Sequence, residues 1–390
     1  MSSSGSDWRV IDGVTTAWFD APSLVAGAVL AERALASSPE ARIELRDRGV
    51  RIRVDAADEA GTVSEAARGL GLTAEPGRLQ QLGVVFESAN PTGVSTFWQR
   101  VTGYDAVAPA TLTDPLGRGP TLRIRPSRER RTERHRIHLD VVRPEAVVEE
   151  VRPGEPSGPY GVCHRDPDGN EVDLVPGGSL GEQPETDDWR EVFAAVACYR
   201  VRSTREQVAL ATAAARLADD VGFPLLVDLR PGLVVLDSGK DRWDPGAHGL
   251  DVDFDALAVV LQAAARGLGA VADPTAPRFV QLFLDAADVA AVRACWVAAL
   301  SYVEDRRAHT TDIVDPDRLG PEVVFQQIDL AETGRRTQRN RIHVELAVPS
   351  DAAAARVETV LAVGGRLLEQ AGARWRLADP EGNEIVVVAG

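Results

Sequence analysis

The chain repeats itself, and that constrains its fold more than any other feature. Asp7-Trp8-Arg9 recurs as Asp188-Trp189-Arg190, and Ala66-Ala67-Arg68-Gly69-Leu70-Gly71 recurs as Ala264-Ala265-Arg266-Gly267-Leu268-Gly269. Asp114-Pro115 and Gly119-Pro120 match Asp315-Pro316 and Gly320-Pro321, and Arg136-Ile137-His138 matches Arg341-Ile342-His343. Asp166-Pro167-Asp168-Gly169-Asn170-Glu171 returns as Asp379-Pro380-Glu381-Gly382-Asn383-Glu384. The order is kept and the offset only grows, as duplication followed by loop insertion produces. The largest growth falls where copy two carries the turn-rich string Gly239-Lys240-Asp241-Arg242-Trp243-Asp244-Pro245-Gly246. A Pro- and Gly-rich linker between copies is expected at 179–185.

A chain of 390 residues is too long for one ordinary core, so two to four domains are expected. The net charge of -16 argues against nucleic acid, whose binding needs a cationic face. Cys163, Cys198 and Cys295 are odd in number and scattered, which excludes a disulfide framework and fits a reducing compartment. No apolar run approaches the roughly 18 residues that span a bilayer. The opening MSSSGSDWRVIDG lacks a basic segment followed by an apolar one. A cytoplasmic protein with no membrane partner is expected.

Each copy divides into two halves. Alternation in Ala41-Arg42-Ile43-Glu44-Leu45-Arg46 and Val50-Arg51-Ile52-Arg53-Val54 predicts half-exposed strands around a turn at Asp47-Arg48-Gly49. A strand at 14–19 and helices at 22–37 and 62–70 complete a small α+β domain. Copy two keeps the pattern, with strands at 225–229 and 233–236. The second half starts with a strand at 83–87 in copy one and from Val280 in copy two. A helix carrying Trp98 or Trp296 follows, and the pattern restarts at Arg136 or Arg341. Two βαβββ modules per copy are the simplest reading.

The second halves resemble the glyoxalase-like branch of the vicinal oxygen chelate superfamily. The resemblance is carried by "VVFESANPTGVSTFWQRVTGY", "HRIHLDV" and "DPDGNEVDLV" in copy one and by "VQLFLDAADVAAVRACW", "NRIHVELAV" and "DPEGNEIVVV" in copy two. It implies paired βαβββ modules around a small-molecule cleft, often with a divalent metal. The first halves resemble pterin-4a-carbinolamine dehydratase. That family's His-His-Pro reads Ser37-Ser38-Pro39 in copy one and Gly222-Phe223-Pro224 in copy two, and Asp55-Ala56 and Asp237-Ser238 stand where its third histidine would. Serine does not shuttle protons near neutral pH as imidazole does, so these halves are expected to be catalytically dead. The fold expected is therefore α+β: two paired βαβββ domains, each preceded by a small dehydratase-like domain. The dehydratase-like domains fall at 1–76 and 186–273, and the glyoxalase-like domains at 77–178 and 274–390.

The same resemblance implies one metal ligand from the first strand and one from the last strand of each module. His138 with Glu171, and His343 with Glu384, occupy those positions in the second modules. Copy two adds Gln281, seven residues before Asp288, and Gln326, giving the set Gln281, Gln326, His343 and Glu384 for zinc, nickel, iron or manganese. Copy one has Gly83 and Arg125 at the matching places, which would not hold a cation. His343 and Glu384 are the candidate catalytic pair. His138, Glu171, Trp98, Trp296, Arg136 and Arg341 are candidate ligand contacts. For the tryptophans core packing competes with lining the pocket, and for Glu171 and Glu384 capping of the Asp-Pro-Xaa-Gly-Asn turn competes with ligation. The run Arg123, Arg125, Arg128, Arg130, Arg131, Arg134, Arg136 would steer an anion or form a solvated face. His164, His248 and His309 have no counterpart in the other copy and carry no assigned role.

Three functions follow: metal-free binding of a small organic molecule in the clefts, a metal-dependent lyase, isomerase or dioxygenase with copy two active, or 4a-hydroxytetrahydropterin dehydratase activity. The dehydratase-like halves also imply an association tendency, met by a homodimer or within the chain.

Overall fold

The computed structural model describes residues 7–55, 57–129, 131–244 and 249–390. Ala56, Arg130, His248 and residues 245–248 of the expected insertion loop lie outside the described residues, as do 1–6 of the opening segment. The four domains expected along the chain are gathered into two compact units instead. Unit 1 takes 1–79 with 177–278, and unit 2 takes 80–176 with 279–390. Among the described residues no helix is long and apolar enough to cross a membrane.

Unit 1 holds two halves of the same element order. The first has strand Val14–Asp20, helix Leu24–Ser37, strands Arg42–Arg46 and Gly49–Val54, and helix Ala57–Gly69. The second has strand Ala195–Arg200, helix Thr204–Val221, strands Leu226–Arg230 and Leu233–Asp237, and helix Phe254–Gly267. Helix Leu24–Ser37 starts at Ser23, whose side chain accepts from Ala26 N. Asp219 of the second half accepts from the first-turn amides of Leu24 and Val25 at 3.2 and 2.9 Å. The helix expected at 62–70 begins earlier, at Ala57, and runs through Gly61, a residue that costs a helix interior about 1 kcal/mol. Part of the expected linker belongs to this unit too. Gly178 and Ser179 pair with Glu191 and Arg190, and Pro184–Thr186 is a 3-10 turn.

The halves join edge to edge. Arg42–Arg46 and Leu226–Arg230 pair antiparallel, with Asp228 opposite Glu44. Ile43 and Leu45 enter the apolar core with Val227 and Leu229. The alternating charged face, expected to be half-exposed, is buried as well. Glu44 accepts from Arg51 at 2.7 Å and from Arg53, and pairs with Arg230 of the other half at 2.6 Å. Arg46 donates to Asp228 at 2.7 Å. The charges tolerate burial because they neutralise one another across the joint. Burial alone would raise the Glu44 pKa, but Arg51, Arg53 and Arg230 together pull it well below 4.5. Its contribution is therefore present above about pH 4.5 and is lost as pH falls toward the folded-state value.

Unit 2 contains the four modules, three of them with the order βαβββ and the second with βαββ. The first begins with strand Gln81–Ser88 and helix Pro91–Thr102 and ends with strand Thr121–Pro126. The second begins with strand Ile137–Pro144 and ends with Glu171–Ser179. The third begins with strand Phe279–Ala286 and helix Val289–Leu300 and ends with Val323–Gln327. The fourth begins with strand Ile342–Val348 and ends with strands Arg366–Ala371, Arg374–Ala378 and Glu384–Ala389. The sheets do not pair modules of one copy. Ile342–Val348 of the fourth module pairs antiparallel with Gln81–Ser88 of the first, and Ile137–Pro144 of the second with Phe279–Ala286 of the third. An eight-stranded sheet joins the fourth and first modules. Leu82, Val84, Phe86, Ile342, Val344 and Leu346 supply one face of it to the core.

Modules of one copy are tied elsewhere. In the Asp-Pro-Xaa-Gly-Asn turns, Asp166 and Asp379 accept from the amides of Asn170 and Asn383, each at 2.9 Å. Gly169 and Gly382 sit at φ 84 and 88, where a side chain is strained. Trp98 and Trp296 are fully buried and donate their indole N–H groups to Asp166 and Asp379 at 2.9 and 3.0 Å. They pack in the core rather than lining a pocket. Arg136 and Arg341, expected as ligand contacts, are buried clamps between copies. Arg136 donates to the carbonyl of Glu381 at 3.0 Å, and Arg341 to those of Asp168 and Arg131 at 2.5 and 2.8 Å.

Glu44→Gln leaves three guanidiniums around a neutral amide, so urea unfolding at pH 7 should show a loss of about 3–5 kcal/mol. The variant should also lose less stability than the parent between pH 5 and 3.

Candidate functional site

Strand alternation decides which side chains meet in unit 2. On the sheet of the fourth and first modules, His343 stands opposite Val85 and Glu345 opposite Gly83, while Glu87 lies beside Arg125. Arg374 and Arg376 stand beside Val388 and Val386. These positions share the face opposite the core. A cavity of about 200 Å³ opens there, lined by Glu87, Arg125, Arg339, His343, Glu369, Arg374, Arg376 and Glu384 together with Ala371 and Val386.

Its carboxylates are all engaged. Arg339 donates to Glu384 at 2.5 and 3.0 Å and to Glu87 at 2.8 and 3.1 Å. Arg376 pairs with Glu369 at 2.9 Å. Glu345, buried beneath, accepts from Arg125 at 2.8 Å and from Arg374. Burial opposes ionisation of Glu345, yet Arg374 and Arg125 hold its pKa below 4.5. Glu384 therefore serves as an arginine partner, and the turn beside it is capped by Asp379 instead. His343 is 6% exposed, and its Nδ1 is buried without a hydrogen-bond partner.

On the sheet of the second and third modules, His138 stands opposite Phe283 and Asp140 opposite Gln281. The imidazole stacks on the Phe283 ring, centroids 5.0 Å apart. Gln281 Nε2 donates to Asp140 at 3.0 Å, while Gln281 Oε1 and His138 Nδ1 are buried without partners. Asp173 joins the cluster: His138, Asp140 and Asp173 each offer a ligand atom within 4.8 Å of the others. Glu171 does not. Its oxygens accept from Arg134 at 2.5 Å and from Arg165 at 3.0 Å. Gln326 is exposed and donates to Asp285, which also accepts from the buried Arg335. Asp288 accepts from Ala291 N as a helix cap.

The set Gln281, Gln326, His343 and Glu384 is thus divided between two sheets. The donors that do converge are His138, Asp140 and Asp173, with Gln281 hydrogen-bonded to Asp140. Imidazole, carboxylate and amide oxygen suit a borderline divalent ion, and the two partnerless buried atoms add to that fit. The alternations His138-Leu139-Asp140 and Glu171-Val172-Asp173 could have pointed to Asp140 and Asp173, since residues two apart share a strand face. The face of the fourth and first modules, with four arginines around its cavity, does not fit a metal.

Burial pushes the imidazoles of His138 and His343 down to about 4. Arg134 assists at His138, while at His343 the opposing pull of Glu87 is outweighed. Both rings are neutral at pH 7. The unfolded chain takes up these protons first as pH falls, so stability is lost between about 6.5 and 4. In an NMR pH titration both ring signals should have midpoints near 4; midpoints near 6.5 would contradict the burial.

A family model described as a glyoxalase-like domain matches residues 83–175 and 281–388. No curated protein matches the chain. Among solved structures, glyoxalase I from Zea mays is 10% identical, with a TM-score of 0.36 over 80% of this chain and 92% of that one. The cppA protein from Streptococcus pneumoniae TIGR4 is 10% identical, with a TM-score of 0.35 over 80% of this chain and 98% of that one. A glyoxalase-related enzyme from Fulvimarina pelagi is 17% identical, with a TM-score of 0.23 over 28% and 84%.

Proposed function

The chain belongs to the glyoxalase-like domain family, and from that premise we propose that it binds a small organic molecule in the cavity of the fourth and first modules. The observation that carries this reading is the 200 Å³ cavity itself, with the partnerless Nδ1 of His343 beside it. A buried polar atom without a partner costs about 1–3 kcal/mol, which a ligand hydrogen bond would recover. Binding is favoured over turnover at this cavity. Glu384 is held on both oxygens by Arg339, so a proton-transfer role would first have to break that pair. Ligand-observed NMR against small organic acids, amines and neutral polyols should find binders, and His343→Ala should weaken them about tenfold.

A second reading rests on the cluster of His138, Asp140 and Asp173. There a divalent ion would supply Lewis-acid chemistry of the lyase, isomerase or dioxygenase kind. His138, neutral at pH 7, would present a ring nitrogen without losing a proton, and Phe283 would fix the plane of the ring. Elemental analysis after incubation with zinc, nickel, iron and manganese should find about one ion per chain. His138→Ala and Asp140→Asn should lose it, and His343→Ala should keep it. Loss of metal in His343→Ala alone would reject this assignment.

Unit 1 is assigned a scaffold role as a degenerate dehydratase-like pair. Among its described residues there is no histidine. Ser38 donates to Glu59, Ser238 to the carbonyl of Gly239, and Phe223 is buried in the core. The full chain should not accelerate quinonoid dihydropterin formation from the 4a-carbinolamine, and a measured acceleration would reject the scaffold role.

A further inference from the structure

We propose that the ligand of this cavity carries a carboxylate, seated on Arg125 and Arg374, and a second polar group that reaches His343. The inference rests on the binding reading given above and names the ligand class. One buried carboxylate, Glu345, is divided between two guanidiniums. Arg125 meets it at 2.8 Å, Arg374 is bonded to it as well, and Arg123 stands 3.9 Å away. Among the described residues Glu345 is the sole carboxylate paired with Arg125 or Arg374. The side chain of Glu345 is 7% exposed, while those of Arg125 and Arg374 are 43% and 39% exposed and line the cavity. Positive charge therefore faces the cavity in excess at this end. Guanidinium groups hold carboxylates through paired N–H donors, and these two already hold one in Glu345.

The other end has the opposite character. Glu87 and the exposed Glu129 are shared by Arg339 and the buried Arg131, Glu384 pairs with Arg339 and lies 3.7 Å from Arg376, and Glu369 holds Arg376, so four carboxylates stand against three guanidiniums. A second anionic group there would be repelled, so the ligand is a monoanion. Its far end carries a neutral or donor group. His343 and Glu345 are two residues apart on one strand, about 7 Å along it. A carboxylate at the arginines and a hydroxyl at His343 must span about that distance.

The probes are 4-hydroxybenzoate, 4-hydroxybenzamide, benzoate and phenyl phosphate, titrated by calorimetry against the full chain. The expected order is 4-hydroxybenzoate at least tenfold tighter than either 4-hydroxybenzamide or benzoate, with phenyl phosphate weaker still. Arg374→Gln should weaken the acid about tenfold and leave the amide unchanged. Glu345→Gln should tighten the acid, a gain that a merely unfolded variant would not show. Equal binding of acid and amide would overturn the anion assignment while leaving the cavity a binding site. Tightest binding by phenyl phosphate would overturn the carboxylate in particular. Binding of none of the four overturns this ligand class, and the broader library screen then decides the binding reading separately.

Discussion

Everything in unit 2 depends on one choice of hydrogen-bonding partner. Strand Ile342–Val348 pairs with Gln81–Ser88, and Ile137–Pro144 with Phe279–Ala286. Each pairing sends one alternating set of side chains into a common core and the other set to a polar face. Arg136 and Arg341 hold the arrangement by reaching from one copy to backbone carbonyls of the other. Trp98 and Trp296 bind the copies' own modules together through the aspartates of their turns. The two kinds of tie act at right angles in the chain's logic: backbone ladders cross between copies, and buried indoles stay within them.

Much of this was readable from the residues. The repeat pointed to the four modules, and the Asp-Pro-Xaa-Gly-Asn turns marked where the closing strands of the second and fourth begin. His138, Glu171, His343 and Glu384 fall on polar faces because alternation places them there. The choice of sheet partner was not readable. All four opening strands present the same apolar alternation, so the pattern fits pairing within a copy as well as between copies. The error over the metal set follows from that ambiguity, since Gln281 and His343 were assigned to one cleft. Arg136 and Arg341 misled for a related reason. Each stands two residues before its histidine, the spacing of a shared strand face, but it precedes the strand's first residue, Ile137 or Ile342, so strand alternation does not fix its direction. Half-exposed strands in unit 1 were expected from their charges, and mutual neutralisation of Glu44, Arg51, Arg53 and Arg230 is what allowed those charges inside.

The two polar faces have diverged at matching places. His343 and His138 correspond, as do Glu384 and Glu171, and each glutamate is held by a matching arginine, Arg339 or Arg134. Around these constants, Gly83 corresponds to Gln281, Val386 to Asp173 and Arg125 to Gln326. The substitutions remove donors from one face and guanidinium from the other. One face thereby carries guanidiniums around its cavity, and the other a cluster of imidazole, carboxylates and amide.

The crossed ladders have a consequence for how such a chain can change. The cavity takes Glu87 and Arg125 from copy one and its other lining residues from copy two, while His138, Asp140 and Asp173 of copy one face Phe283 and Gln281 of copy two. Deleting either copy would take residues from both polar faces and leave the opening strands of the other with nothing to pair. A duplicate is ordinarily a spare, free to decay while its twin carries the work. Here the crossed pairing removes that freedom, since a change in one copy's opening strands is felt by the strands of the other.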